Sequence, residues 1–208
     1  MAELYAEVRR LALADPAVAH TRWREEREAL YRIHPASPVP AARRSEFRAL
    51  RFRYDPSLRF ELPLIGELPG AAPVAASPAS APASRLGGLA LPVSTGDAPE
   101  FDRLGRLEIP FPDGPRRLSV FWLRGYSGGI FLPFRDGTNG RETYGGGRYL
   151  LDTAKGADLG GNLDGGTIVA DFNFAYQPSC AFDPRWSCPL SPPENRLDLE
   201  IRAGERIA

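Results

Sequence analysis

A mainly β fold, an antiparallel β-barrel or sandwich with an N-terminal helical appendage, is what this sequence predicts, and three observations predict it. Residues 47 to 201 break into short runs of alternating apolar and polar side chains, the period of two that a half-buried strand requires. Clusters of Gly, Asp, Asn and Pro separate those runs and supply the chemistry of tight turns. Helical periodicity is confined to the first 33 residues. Many short strands with no helices between them build antiparallel sandwiches or barrels.

The helical part comes first. Leu4, Val8 and Leu11 recur at helical spacing, and Asp15-Pro16 reads as an N-cap followed by proline at the first helical position, restarting a helix through Trp23 and Leu30. Arg22, Arg24, Glu25, Glu26, Arg27 and Glu28 crowd between the apolar positions and read as a solvated face with local ion pairs. Pro35, Pro38 and Pro40 end the segment, so residues 1–40 form a helical unit and 41–208 a single β domain.

Strand signals begin at Phe47. Leu50, Phe52 and Tyr54 share one parity, Asp55-Pro56-Ser57 offers a turn, and Leu58, Phe60, Leu62 and Leu64 alternate with polar residues, which predicts an antiparallel hairpin. Over residues 69–88 the composition falls to little but Ala, Pro, Ser and Gly, too poor in apolar bulk to offset the entropy of ordering, so a mobile loop is expected. Leu107, Ile109 and Phe111 then alternate up to Asp113-Gly114, a strong hairpin signal, and Leu118, Val120 and Trp122 alternate on the way back. Further strands are expected over 130–134, 148–151, 167–174 and 197–201.

Bulk properties exclude some functions. With 26 basic and 26 acidic residues among 208 the net charge is zero, so no broad field for nucleic acid or an anionic membrane is expected. Every basic residue except Lys155 is arginine, so a charged site here uses planar guanidinium forks suited to carboxylate or phosphate. The first residues carry charge through every turn with no apolar signal core, and no run of about 18 apolar residues occurs. A cytoplasmic location, with the cysteines mostly reduced, is expected.

Chemistry-bearing residues gather in two places. Arg135, Asp136, Glu142, Tyr144, Arg148 and Tyr149 lie close together on strands and turns. They read either as internal ion pairs on a rim or as a site in which Arg148 or Arg135 grips a ligand's anionic group. Asp171, Asn173 and Tyr176 end an apolar strand, and either hydrogen-bond the proline-rich segment that follows or face a polar pocket, with Asp171 or Glu142 as an acid/base carboxylate. That segment, residues 171–197, holds both cysteines, Cys180 and Cys188, and reads as a stiff clasp. Two cysteines cannot complete a structural zinc site and neither His20 nor His34 sits at ligand spacing, so no metal is expected. Gly125-Tyr126-Ser127-Gly128-Gly129 matches a nucleophile-elbow pattern but precedes a strand rather than a helix, and Gly145-Gly146-Gly147 lacks the Lys of a P-loop, so a turn and close backbone approach are the better accounts.

Phe131-Leu132-Pro133-Phe134-Arg135-Asp136, Glu142-Thr143-Tyr144-Gly145-Gly146-Gly147-Arg148-Tyr149-Leu150, Asp171-Phe172-Asn173-Phe174-Ala175-Tyr176 and the run from Cys180 to Asn195-Arg196-Leu197 and Ala203-Gly204-Glu205 occur in one order. In these the chain resembles a bacterial and archaeal family known only as domain of unknown function 1684. Gln177 stands where that family usually shows Asn, and 69–88 looks like an addition. The resemblance implies a shared polar motif set and no activity. The expected function is therefore binding of a small polar or anionic molecule at one end of the β domain, through Arg135, Tyr144, Arg148, Tyr149, Asn173 and Tyr176, without a cofactor. The alternatives are a hydrolase or isomerase with Glu142 or Asp171 as base, and a protein-interaction module built on the loop around Trp186.

Overall fold

The structure is a computed structural model and describes residues 2–66, 88–124, 128–161 and 166–207. The stretch 69–88, apart from Gly88, and the turn at Gly125 to Ser127 lie outside the described residues. Two helices lead: α1 (Ala2–Ala12) and α2 (Pro16–Ile33). As the Asp15-Pro16 pair predicts, the Asp15 carboxylate accepts the free amides of Ala17 at 2.8 Å and Val18 at 3.2 Å. Leu4, Tyr5 and Val8 of α1 and Ala19, Trp23 and Tyr31 of α2 turn inward.

Among the described residues ten strands follow: β1 (Leu50–Arg51), β2 (Arg59–Pro63), β3 (Ile65–Gly66), β4 (Leu89–Ala90), β5 (Glu100–Phe111), β6 (Gly114–Leu123), β7 (Gly129–Phe134), β8 (Arg148–Asp152), β9 (Thr167–Asp171) and β10 (Glu205–Arg206). The main sheet runs β3-β5-β6-β7-β8 with β4 also on β5, while β2 pairs with β9 and β1 with β10, every pair antiparallel. The fold is mainly β with N-terminal helices, and among the described residues the sheets do not close into a barrel. The Asp113-Gly114 hairpin forms as expected, with Phe111 opposite Gly114.

Two apolar cores lie on the two faces of the main sheet. One holds Leu107, Ile109, Leu118, Val120, Leu132, Ile168 and Phe172, and the other packs Tyr5, Val8 and Trp23 of the helices on Phe101, Phe121, Phe131 and Phe174. Phe101 and Leu107 share sequence parity yet face different cores, because a register shift between Arg103 and Gly105 flips β5 halfway along. Gly105 is needed there: a Cβ would stand 2.2 Å from the Ile65 carbonyl oxygen. Trp23 is fully buried, worth roughly 2–3 kcal/mol of transfer free energy for such a ring, so the helical segment is a wall of the second core.

Three strand expectations need correction. The strand expected over 167–174 ends at Asp171, whose side chain accepts the Asn173 amide and turns Phe172–Phe174 into a 3-10 helix. The run 50–64 is not a hairpin: β1 pairs with β10 and β2 with β9, both far away in sequence. Asp55 caps a 3-10 turn through the Ser57 amide at 2.9 Å, and Asn173 bonds both the amide of Asp55 at 2.8 Å and its carbonyl at 2.7 Å, steering β2 onto β9. Residues 197–201 alternate buried and exposed but form no strand: the Leu197 amide donates to the Arg135 carbonyl and the Leu199 carbonyl accepts the Gly137 amide, while the amide and carbonyl of Ile201 go to the side chains of Asp136 and Arg148.

Candidate functional site

Arg148 is the hub of the expected site. It sits on β8, every residue of which is buried, and its Nη2 donates to Asp136 Oδ2 at 2.9 Å and to the Ile201 carbonyl at 2.8 Å. Its Nη1 donates to the carbonyls of Ala203 and, at 3.2 Å, Glu205. Asp136 is as deeply buried and also accepts the Ile201 amide at 2.8 Å and the Thr138 hydroxyl at 2.6 Å. Burial pushes the Arg148 pKa below the usual guanidinium range, and the Asp136 carboxylate opposes it. The guanidinium thus holds residues 201–205 by three carbonyls, a backbone path that Gly204 permits at φ +76°.

The second gathering point fixes the clasp. Asp171 accepts the Asn173 amide at 3.0 Å and Arg59 Nη1 at 3.1 Å, and burial raises its pKa above the ordinary carboxylate value against those donors. Tyr176 donates its hydroxyl to Asp152 at 3.2 Å, and Tyr149 donates to the Pro189 carbonyl at 2.5 Å. Tyr144 brings its hydroxyl to 3.7 Å from Cys180 Sγ. Glu142 lies at the surface and accepts Arg202 Nε at 3.1 Å and Nη2 at 3.0 Å, while Arg135 bridges to the far end of the clasp through backbone bonds to Asn195 and Leu197. Asn195 pins that end by donating to the carbonyls of Ser119 and Pro133 and accepting the Ser119 amide. The structure therefore brings Arg148 and Asp136 together and gathers Tyr149, Tyr176, Asp171 and Asn173 around the clasp, while Glu142 pairs with Arg202 and Asp171 with Arg59.

Beside this framework lies a cavity of about 560 Å3 between residues 39–50, the clasp and β10. None of the eight expected site residues lines it; the clasp contributes Gln177, Ala181 and Phe182. Phe47 and Phe182 meet edge to face at 5.7 Å, and both pack on Tyr31, giving an aromatic wall. Leu50 and Ile207 stand at the edge, 48 % and 36 % exposed. Arg43, Arg48 and Arg206 lie around it against the single surface acid Glu46. Arg48 donates only to the carbonyl of Phe47, at 2.8 Å, and Arg206 stacks over Phe52 at 5.4 Å.

Glu205 forms the inner wall. Its carboxylate accepts Arg27 Nε at 2.6 Å, the Tyr31 hydroxyl at 2.9 Å and the Gln177 amide at 2.9 Å. Arg27 lies face-on to Tyr176 at 4.2 Å. Burial opposes its charge, but Glu205 and Tyr31 outweigh that and raise its pKa. The neighbouring Arg51 guanidinium, 6 % exposed, stands 3.9 Å from Glu205 and leaves Nε and Nη2 without a hydrogen-bond partner. Arg27, Tyr31, Gln177 and Glu205 are residues that sequence reasoning missed. Arg27 was hidden in a charged run; its signal is the spacing of four from both Trp23 and Tyr31, which puts it on the buried stripe of α2.

Fold and site together define a mainly β protein whose helices cover one sheet face and whose C-terminal strand closes an apolar groove with a basic edge. The chain belongs to the family described as "Protein of unknown function (DUF1684)", which matches residues 74–206. A similar solved structure is the solution NMR structure of an uncharacterized protein of Haloarcula marismortui, at 28 % identity and a TM-score of 0.62, covering 94 % of this chain and 96 % of that one. No curated protein matches. Among the described residues no helix is long and apolar enough to cross a membrane, and no group of three potential metal-ligating side chains occurs.

Proposed function

We propose that this protein binds a small molecule carrying a carboxylate or phosphate on an apolar, planar body, in the groove between residues 39–50 and β10. The observation that carries the reading is the union in one cavity of about 560 Å3 of an aromatic wall and an arginine edge. That volume suits a ligand of drug size, for which sites run roughly 300–1,000 Å3. Arg43 and Arg48 are exposed and among the described residues hold no carboxylate, so they can turn their forks on an incoming anion. Glu205 does not repel that anion strongly, because its charge is already paired with Arg27. Gln177 Nε2 makes only a 3.5 Å contact with the Glu205 carbonyl and is free to offer a donor to the ligand. In this reading Arg148, Asp136, Asp171 and Asn173 hold the segments behind the groove and do not touch the ligand.

The test is a thermal-shift and calorimetric screen of the full chain against aromatic carboxylates and aryl phosphates. A ligand at about one hundred times its Kd stabilises by about 2.7 kcal/mol, or roughly 5–11 °C for a domain of this size. The double variant Arg43→Ala/Arg48→Ala keeps the unliganded Tm and loses that shift. A shift that persists in the double variant, or a panel in which no compound binds, refutes the reading.

A further inference from the structure

We propose that Cys180 and Cys188 form a hydroperoxide-reactive dithiol site that closes to a reversible disulfide. Both are free thiols in the clasp and are nearly but not wholly buried, at 8 % and 7 % exposure. The Cys180 amide donates to Cys188 Sγ at 3.3 Å, so the sulfur of one residue already lies against the backbone of the other. The chain between them is folded back in the reduced state: the Trp186 amide donates to the Asp183 carbonyl at 3.2 Å and the Arg185 amide to Asp183 Oδ1 at 3.0 Å. Ser94 holds the second cysteine by accepting the Cys188 amide at 3.0 Å and donating to the Trp186 carbonyl at 3.0 Å. Closing the bond therefore starts from a sulfur 3.3 Å from the backbone of the other cysteine, where a disulfide requires Cα atoms within about 7 Å of each other.

The surroundings also supply a nucleophile. Hydrogen bonds to the Cys180 sulfur, from Cys188 first and then from Tyr144, lower its pKa to about 6 against the effect of burial. Cys188 is held protonated beside it, its pKa raised. Tyr144, raised to about 12 by burial and by Cys180, stays a donor. The pair thus gives up one proton below the ordinary cysteine range and keeps the other, the arrangement of an attacking thiolate with a resolving thiol.

The chemistry balances with a hydroperoxide as oxidant. The Cys180 thiolate attacks the near peroxide oxygen; an S–O bond forms, the O–O bond breaks, and the leaving oxygen takes a proton to give water or an alcohol, leaving a sulfenic acid. Cys188 then attacks that sulfur, the S–S bond forms, the S–O bond breaks, and hydroxide leaves with the Cys188 proton as water. Two thiols lose two electrons and the peroxide gains them.

The test is stoichiometric hydrogen peroxide on the reduced full chain, read by thiol titration under denaturing conditions and by mass spectrometry. Expected are loss of both thiols in a monomer, a mass decrease of about 2 Da and recovery of both with dithiothreitol. In Cys188→Ser the reaction stops at a sulfenic acid on Cys180 that dimedone traps; in Cys180→Ser it slows by about tenfold or more. Wild-type protein that retains both thiols while free glutathione oxidises, gives only intermolecular disulfide, or goes straight to sulfinic acid overturns the proposal. Dimedone adducts of equal yield in the two variants overturn the assignment of Cys180 as the attacking group.

Discussion

Replacing Asp136 with alanine removes the counter-charge of a fully buried arginine. Four donors lose an acceptor: Arg148 Nη2, the Ile201 amide, and the amide and hydroxyl of Thr138. Breaking a buried ion pair from one side costs about 3–5 kcal/mol, and a stranded buried amide about 1–3 kcal/mol more. Allowing for non-additivity, Asp136→Ala should lose about 4–6 kcal/mol, a large share of the roughly 5–15 kcal/mol available to a folded domain. Equilibrium urea unfolding followed by circular dichroism measures this. Much of the loss is the orphaned charge, so Asp136→Ala/Arg148→Met should be more stable than the sum of the single variants by about 2 kcal/mol or more. An Asp136→Ala loss under about 1 kcal/mol, or strict additivity in the cycle, refutes the picture of a charged hub.

His20 and Gly204 give two further tests. His20 Nε2 lies 3.0 Å from the Asn173 carbonyl, which can only accept, so the neutral ring carries its proton there. Burial, with help from Arg24, lowers its pKa from 6.5 to about 4. The unfolded chain then binds more protons between those values, so stability is full above the unfolded pKa and is lost as pH falls through the window, by up to about 3 kcal/mol. His20→Gln should flatten the stability profile between pH 6.5 and pH 4, measured by urea midpoints at each pH; an unchanged slope sinks the assignment. Gly204→Ala puts a Cβ 2.4 Å from the Ala175 carbonyl oxygen at φ +76°, and should cost about 2 kcal/mol or more by the same measurement, whereas a loss below about 0.5 kcal/mol means the segment shifts freely.

What the sequence made legible was local. The Asp15-Pro16 cap and the Asp113-Gly114 turn need only their neighbours, and both form as read. The pairing of β2 with β9 was hidden because Asn173, 118 residues away, fixes where Asp55 points. Alternation over 197–201 reports correctly that Leu197 and Ile201 are inside, but a buried arginine can satisfy backbone carbonyls as well as a strand does. The polar set around Arg148 and Asp171 was visible as unusual chemistry, and its two readings differ only in where the guanidinium points, which spacing does not encode. The groove escaped notice because its walls come from residues 39–50, 177–182 and 205–207, none of them a motif alone.

The Arg148 hub also sets a timetable for synthesis. Its carbonyl partners lie 53 to 57 residues later in the chain, and the Glu205 that neutralises Arg27 lies 178 residues after it. At about 5–20 residues per second, the ribosome delivers residues 201–205 roughly 3–11 s after Arg148 itself. Until then the hydrophobic faces of β7 and β8 can assemble, but the arginine between them has no carbonyls to hold. A chain that stops before Ile201 therefore lacks the one short backbone segment whose carbonyls satisfy the buried guanidinium.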